Sequence, residues 1–147
     1  MNSELLIWAA LCLPLLIAIG IAVTGAFSNV REGVTLVGAT ALFGVVIALA
    51  MKVAGGEVPE LYVGQAAPGL DFAFKLEPLG ALFALVASGL WIVNSFYSIG
   101  YMHQDRGIPR FMCYMSLFTF SMLTLVSADN LVQLFFGWEG VGLCSYL

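Results

Sequence analysis

The chain has 147 residues, of which 61% are hydrophobic and 10% are charged. Soluble domains are about 45–50% apolar and about 25% charged, so this composition indicates a protein whose solvent is largely lipid. A net charge of −4 with only five lysines and arginines provides no basic patch and excludes a nucleic-acid partner.

Long apolar runs without charge predict membrane-spanning helices. After Glu4 the next charge is Arg31, and further charge-free runs cover residues 33–51, 78–104 and 111–128. Each run meets, or nearly meets, the roughly 20 residues that a helix needs to cross about 30 Å of hydrocarbon. We predict an all-α polytopic fold with helices at 5–27, 33–54, 78–101, 111–128 and 130–147. The fifth span is still apolar at Leu147, and we expect it to be truncated.

The first span is expected to be a retained helix and not a cleaved signal peptide. Its start, MNSELLIW, carries an acid and no lysine or arginine. Its apolar run also exceeds the roughly 7–15 residues of a signal core. Pro14 is expected to kink this helix, with the freed carbonyl satisfied by a neighbouring helix.

Charges in the loops predict the orientation. The loops after spans one and three hold Arg31, Arg106 and Arg110, whereas the opposite side holds Lys52 and Lys75. Because cytoplasmic loops carry the excess of lysine and arginine, this bias favours an N-terminus outside.

The stretch LYVGQAAPGLDFAFKLE, residues 61–77, predicts an extramembrane β-hairpin between spans two and three. Pro68-Gly69 is a turn signal, and the residues after it alternate between apolar and polar. The two sides are Phe72, Phe74 and Leu76 against Asp71, Ala73, Lys75 and Glu77. An irregular surface loop is the alternative.

Glu139 is the only charge in the fifth span. It lies about ten residues after Asn130, which is roughly 15 Å along a helix and therefore near the bilayer midplane. A charge there costs about 2.5–3.5 kcal/mol, and such acids usually face protein or water and serve in proton relays. Nearby glycines, at 137, 140 and 142, favour close packing of helices around the acid. We predict Glu139 as the catalytic proton-relay residue, with a purely structural acid as the alternative.

Other polar residues give weaker signals. The fourth span carries hydroxyls that either satisfy helix carbonyls or line a water wire, the first being the favoured interpretation: Ser116, Thr119, Ser121, Thr124 and Ser127. The three cysteines are expected to be small apolar fillers: Cys12, Cys113 and Cys144. His103 is the only histidine, and no glycine-rich nucleotide motif occurs, so neither a metal nor a cofactor is predicted for this chain.

Three strings of the second half resemble a known family: FYSIGYM (96–102), PRF (109–111) and FSMLTLVSADNLVQLFFGWEGVGLCSYL (120–147). They are similar to subunit L of the proton-translocating NADH:quinone oxidoreductase, respiratory complex I, whose mitochondrial counterpart is chain 5. The similarity is dense from about Leu76 to Leu147, whereas residues 1–60 agree only in layout.

The resemblance implies an antiporter-like fold of two inverted five-helix repeats with discontinuous helices at the centre. On that basis residues 1–77 form two N-terminal helices and the hairpin, and residues 78–147 begin the proton-translocation domain. Glu139 matches the family's GWEG glutamate, which pairs with a lysine on a later helix and belongs to the proton pathway. The family's subunit holds no flavin, iron–sulfur cluster or quinone site, and quinone reduction elsewhere in the complex drives pumping. Its members are several times longer, so we expect an N-terminal fragment that lacks this lysine.

The resemblance implies a membrane subunit of an oxidoreductase, located in the bacterial or mitochondrial inner membrane beside other membrane subunits. Two other functions stay open. A subunit of a multi-subunit Na⁺/H⁺ antiporter shares the fold and an acid at this position. A non-transporting membrane scaffold, in which Glu139 is only structural, belongs to a different class.

Overall fold

The computed structural model of the chain describes residues 2–147. Five helices and one hairpin follow in order: α1 Ser3–Thr24, α2 Ser28–Ala54, β1 Glu60–Ala67, β2 Leu70–Lys75, α3 Pro78–Tyr101, α4 Ile108–Val126 and α5 Leu131–Tyr146. The predicted helical fold with a β-hairpin is confirmed. The division of the chain at residue 77 stays a prediction.

Helices α1 to α4 are long and apolar enough to cross a membrane. The fifth predicted span corresponds to α5, which has 16 residues. At 1.5 Å per residue α5 is roughly 24 Å long, less than the thickness of the hydrocarbon layer. Together with the apolar composition, the four spans identify an integral membrane protein.

Three helices begin earlier than predicted, α1 by two residues, α4 by three and α2 by five, because charges mark the membrane surface and not the helix end. Helix α2 begins at Ser28 and includes Arg31 in its first turn, where the sequence pattern predicted a loop up to residue 32. Helix α4 begins at Ile108 with Pro109 in its first turn. Proline fits there because the first amide groups of a helix have no intrahelical acceptor.

The first four helices form a closed bundle. Helix α1 packs between α2 and α4, α3 packs on α2, and α3 and α4 close the ring. The buried residues of α3 are mostly small and recur at alternating intervals of three and four: Ala81, Ala84, Ser88, Trp91, Ser95 and Ser98. Small residues at this spacing let two helices approach closely in lipid, where packing and not hydrophobicity drives association.

Helix α1 continues through Pro14, which lies in its interior. Proline cannot donate to the carbonyl of residue 10, so the helix is weakened at this turn. The Ser116 hydroxyl of α4 donates to the carbonyl oxygen of Pro14 at 2.7 Å, and the Cys113 thiol lies 3.6 Å from the carbonyl oxygen of Ala18. Polar groups of α4 therefore bind α1 beside the proline.

The three arginines of the orientation argument lie at one end of the bundle, and the two lysines lie at the other. A Cβ atom added to Gly25, in the α1–α2 turn, would lie 3.5 Å from Cβ of Pro109 at the start of α4. This contact places the loops of Arg31, Arg106 and Arg110 at one end, here called the arginine end. The hairpin lies at the other end, and the absolute orientation stays a prediction.

The hairpin is antiparallel and turns at Pro68-Gly69, where Gly69 has a φ of 86°. Proline followed by glycine with positive φ is the combination typical of a type II turn. Strand β2 pairs with β1 along one edge. Its other edge contacts the turn between α4 and α5, through a bridge from Phe74 to Ala128 and a 2.8 Å hydrogen bond from Lys75 N–H to the Ser127 carbonyl.

Candidate functional site

The candidate site is on α5, and its first turn is defined by a cap. The Asn130 side-chain oxygen accepts a 2.8 Å hydrogen bond from the backbone N–H of Gln133. Asparagine is a preferred N-cap residue, because it satisfies one of the amides that a helix start leaves without a partner. The cap therefore fixes where α5 begins and, through the helical rise, where Glu139 lies.

Two of the three predicted glycines bring α5 against α4. A Cβ atom at Gly137 would lie 2.8 Å from both Cα and N of Leu125, and one at Gly140 would lie 2.7 Å from Oγ of Ser121. At Gly142, by contrast, an added Cβ would meet no atom within 4 Å among the described residues. Close helix packing, as the sequence predicted, is thus found at Gly137 and Gly140 but not at Gly142.

Glu139 lies near the middle of α5 and is exposed on the surface that residues 2–147 form. It follows Gly137 by two residues, which turns its side chain away from α4. The residues one and two turns before and after it on the same side are large, apolar and also exposed: Val132, Phe135, Leu143 and Tyr146. Glu139 is therefore the single acid on an apolar outer face of the helix.

No hydrogen bond or ion pair joins Glu139 to another residue within 2–147, where the ion pairs are Arg31–Glu32, Lys52–Glu57 and Lys75–Glu60. A groove between α4 and α5 opens at the arginine end and is lined by residues that include Arg110, Tyr114 and Cys144, but not Glu139. The described residues therefore offer this carboxyl no hydrogen-bonded or ion-paired partner. The relay role stays a prediction.

The hydroxyls of α4 follow the packing interpretation. All five donate to backbone carbonyls, one to α1 and the others to α4 itself at the position four residues earlier. A hydroxyl whose proton is used in this way satisfies the helix and does not need water. The geometry therefore gives no separate support for a water wire through α4.

The sequence did not predict the burial of Gln133, nor that of Arg31, which was treated only as a loop charge. Gln133 is 1% exposed and Arg31 is 5% exposed. The guanidinium of Arg31 donates to the Gly25 carbonyl at 3.0 Å and to the Ser28 hydroxyl at 3.2 Å, which ties the α1–α2 turn together. The sequence does carry a signal for Gln133, because it is the one amide inside an apolar run, and such a residue needs a polar partner.

No group of three or more His, Cys, Asp or Glu side chains that could hold a metal ion occurs within residues 2–147. The cysteines at 12, 113 and 144 are free thiols of intermediate exposure. His103 is exposed in the loop between α3 and α4.

Comparison with known proteins supports the predicted resemblance. Residues 66–112, which hold β2, α3 and the start of α4, match the family described as the N-terminus of chain 5 of NADH-ubiquinone oxidoreductase (complex I). NADH-quinone oxidoreductase subunit L of Rickettsia bellii is 51% identical over 78 residues, which is 53% of this chain. Subunit L of Neisseria meningitidis is 50% identical over 82 residues, or 54% of this chain. NADH-ubiquinone oxidoreductase chain 5 of Arabidopsis thaliana is 50% identical over 77 residues, or 52% of this chain.

The matched segment covers 12% of each of these curated relatives. The similarity to subunit L and chain 5 is therefore confirmed for about half of this chain, and it concerns a short part of much longer proteins.

Proposed function

We propose that this chain is part of a proton-translocating membrane subunit of an NADH:quinone oxidoreductase. The observation that carries the proposal is the match of residues 66–112 to the chain 5 N-terminus, on a bundle whose next helix bears one acid. The relatives named subunit L, each about half identical over the shared segment, support the same function.

Glu139 has the central role in this proposal. Its outer face is apolar, so a further membrane helix that covers it would exclude water and bring its own groups within reach of the carboxyl. A cation on that helix would stabilise the ionised form, and its withdrawal would favour proton uptake. Glu139 would then load and release protons while the chemistry of NADH and quinone takes place in other subunits.

The proposal also defines partners and location. The partners are other membrane subunits of the complex together with the lipid bilayer, in a bacterial or mitochondrial inner membrane. The N-terminus and the hairpin lie outside, since the arginine end carries more positive charge than the hairpin end. No redox group is assigned to this chain.

A membrane scaffold without transport is the second candidate, favoured by the exposure of Glu139 and by its lack of a partner within residues 2–147. In a scaffold Glu139 would have a structural role only. Its titration would then make no difference to ion movement.

The deciding experiment is Glu139→Gln in the assembled complex, in membrane vesicles from the cells that make it. Glutamine keeps the size and hydrogen-bonding groups but cannot titrate. We expect NADH-driven proton uptake to fall at least tenfold while the complex still assembles, as judged by native gel. Glu77→Gln, at an exposed acid before α3, is the matched control and should pump normally.

Normal pumping by Glu139→Gln would reject the relay and favour the scaffold. An antiporter subunit would be recognised by a different result, in which a sodium gradient drives proton movement in these vesicles and NADH does not.

A further inference from the structure

Strand β2 contacts the α4–α5 segment through every residue from Asp71 to Lys75. We call this set of contacts, between residues 71–75 and 127–136, the hairpin latch. Phe74 and Lys75 reach the turn before α5, through the bridge to Ala128 and the hydrogen bond to the Ser127 carbonyl. Asp71, Phe72 and Ala73 reach Asn130 and α5 itself.

Two amide side chains form the polar part of the latch. Asn130 Nδ2 donates to the Asp71 carbonyl at 2.8 Å, while Asn130 Oδ1 caps α5. Gln133 Oε1 accepts from the Ala73 N–H at 3.3 Å. Two side chains at the start of α5 therefore hydrogen-bond to backbone groups of β2.

An aromatic contact extends the latch along α5. The rings of Phe72 and Phe136 lie 6.4 Å apart between centroids, within the range of favourable aromatic pairs. Phe136 is three residues before Glu139. The contacts between the hairpin and α5 therefore extend to the turn that precedes Glu139.

The latch is the second of two restraints on α5. Along its length α5 packs extensively on α4 and on no other described helix. Packing against a single helix leaves sliding and rotation about that contact poorly determined. Contacts at Asn130, Gln133 and Phe136 restrain both, because they hold the cap and the first two turns of α5 to a strand of the hairpin.

Gln133 uses only one end of its amide in the latch. Its side chain is 1% exposed, yet Nε2 makes no hydrogen bond to any residue in 2–147. An unpaired buried donor lowers stability, and an apolar side chain of similar volume would avoid that cost. The amide is thus present although its nitrogen has no partner among the described residues, and its oxygen accepts from the Ala73 N–H of the strand.

We propose that Asn130 and Gln133 are positioning residues, through which the hairpin sets the depth and rotation of Glu139 in the membrane. Glu139 follows Gln133 by six residues, roughly 9 Å along the helix axis. This inference rests on the proposed function, in which Glu139 must face a proton-exchanging partner at a defined depth.

The test uses Gln133→Leu and Asn130→Ser in the assembled complex. Leucine removes the acceptor for Ala73, and serine keeps the cap but is too short for the Asp71 carbonyl. Gln65→Leu, at an exposed glutamine of β1 outside the latch, is the matched control. Amide hydrogen exchange of residues 134–139 and the number of protons pumped per NADH oxidised are measured.

We expect exchange in residues 134–139 to become about tenfold faster in both latch variants, as the loss of a hydrogen bond predicts. The ratio of protons to NADH should fall at least threefold, and adding Glu139→Gln should lower it no further than Glu139→Gln alone. Gln65→Leu should change neither quantity. A purely structural role would reduce the amount of complex but leave the ratio unchanged.

Unchanged exchange in both latch variants would overturn the proposal, and so would faster exchange with an unchanged ratio. If Gln133→Leu prevents assembly, Phe72→Leu is judged by the same two measurements. Normal pumping by Glu139→Gln would instead reject the proposed function, and the exchange data would still report whether the latch holds α5.

Discussion

The hydroxyl of Ser116 donates a 2.7 Å hydrogen bond to the carbonyl oxygen of Pro14, two residues that lie about a hundred positions apart in the sequence. Both residues are buried. The bond crosses from α4 to α1 at the turn that proline weakens. It is therefore a tertiary contact inside the membrane, unlike the other hydroxyl bonds of α4.

Ser116→Ala should destabilise the protein by about 0.5–1.5 kcal/mol, the typical net value of one hydrogen bond. Ser98→Ala is the matched control, because this buried hydroxyl donates to the Asn94 carbonyl of its own helix. Alanine is a good helix former, so the control should cost less. Unfolding of the two variants in detergent micelles measures the difference, and equal losses would contradict a special role for Ser116.

Gly137→Ala should destabilise the α4–α5 contact. Its Cβ would lie 2.8 Å from backbone atoms of Leu125, which cannot move aside as a side chain does. Overpacking of this kind costs about 1–3 kcal/mol. Gly142→Ala, on the open side of the same helix, is the comparison and should be neutral or slightly stabilising. The thermal midpoints of the two variants give the measurement, and a tolerated Gly137→Ala would show that the helices are further apart.

Glu139→Asp should pump at a rate between those of the wild type and Glu139→Gln. Aspartate titrates but reaches about one methylene less, so proton exchange with a partner becomes slower without being abolished. Proton uptake per NADH in vesicles provides the comparison. A rate equal to that of Glu139→Gln would mean that reach, and not titration alone, limits the site.

Arg31→Lys should destabilise the α1–α2 turn although it keeps the charge. The guanidinium uses both terminal nitrogens, with one on the Gly25 carbonyl and the other on Ser28 and Glu32. A lysine ammonium lacks that planar fork. The loss should be about 1.5–3 kcal/mol, as for hydrogen bonds to charged groups. Arg106→Lys, at an exposed arginine of the same end, should leave the unfolding free energy unchanged.

Helices α1 to α4 could be predicted because charge-free length is a local property of the sequence. Helix α3 was predicted at its observed bounds, since Glu77-Pro78 and the residues after Tyr101 signal both ends. The hairpin followed from alternation and from Pro68-Gly69. The starts of α2 and α4 were predicted too late, because a helix continues past the charges that mark the membrane surface.

The surroundings of the site could not be predicted in the same way. Gln133 accepts a hydrogen bond from the N–H of Ala73, a residue sixty positions earlier, and no local pattern reveals such a contact. The depth of Glu139 follows from counting along the helix, whereas the direction in which it points depends on where α4 lies. That direction was settled by Gly137 and Leu125 together.

The Pro68-Gly69 turn is the exposed tip of the hairpin, and neither residue takes part in the hydrogen bonds or the bridge of the latch. A short epitope inserted between these two residues should therefore leave the helices undisturbed. An antibody added to intact cells or organelles would then report directly on which compartment this end of the molecule faces.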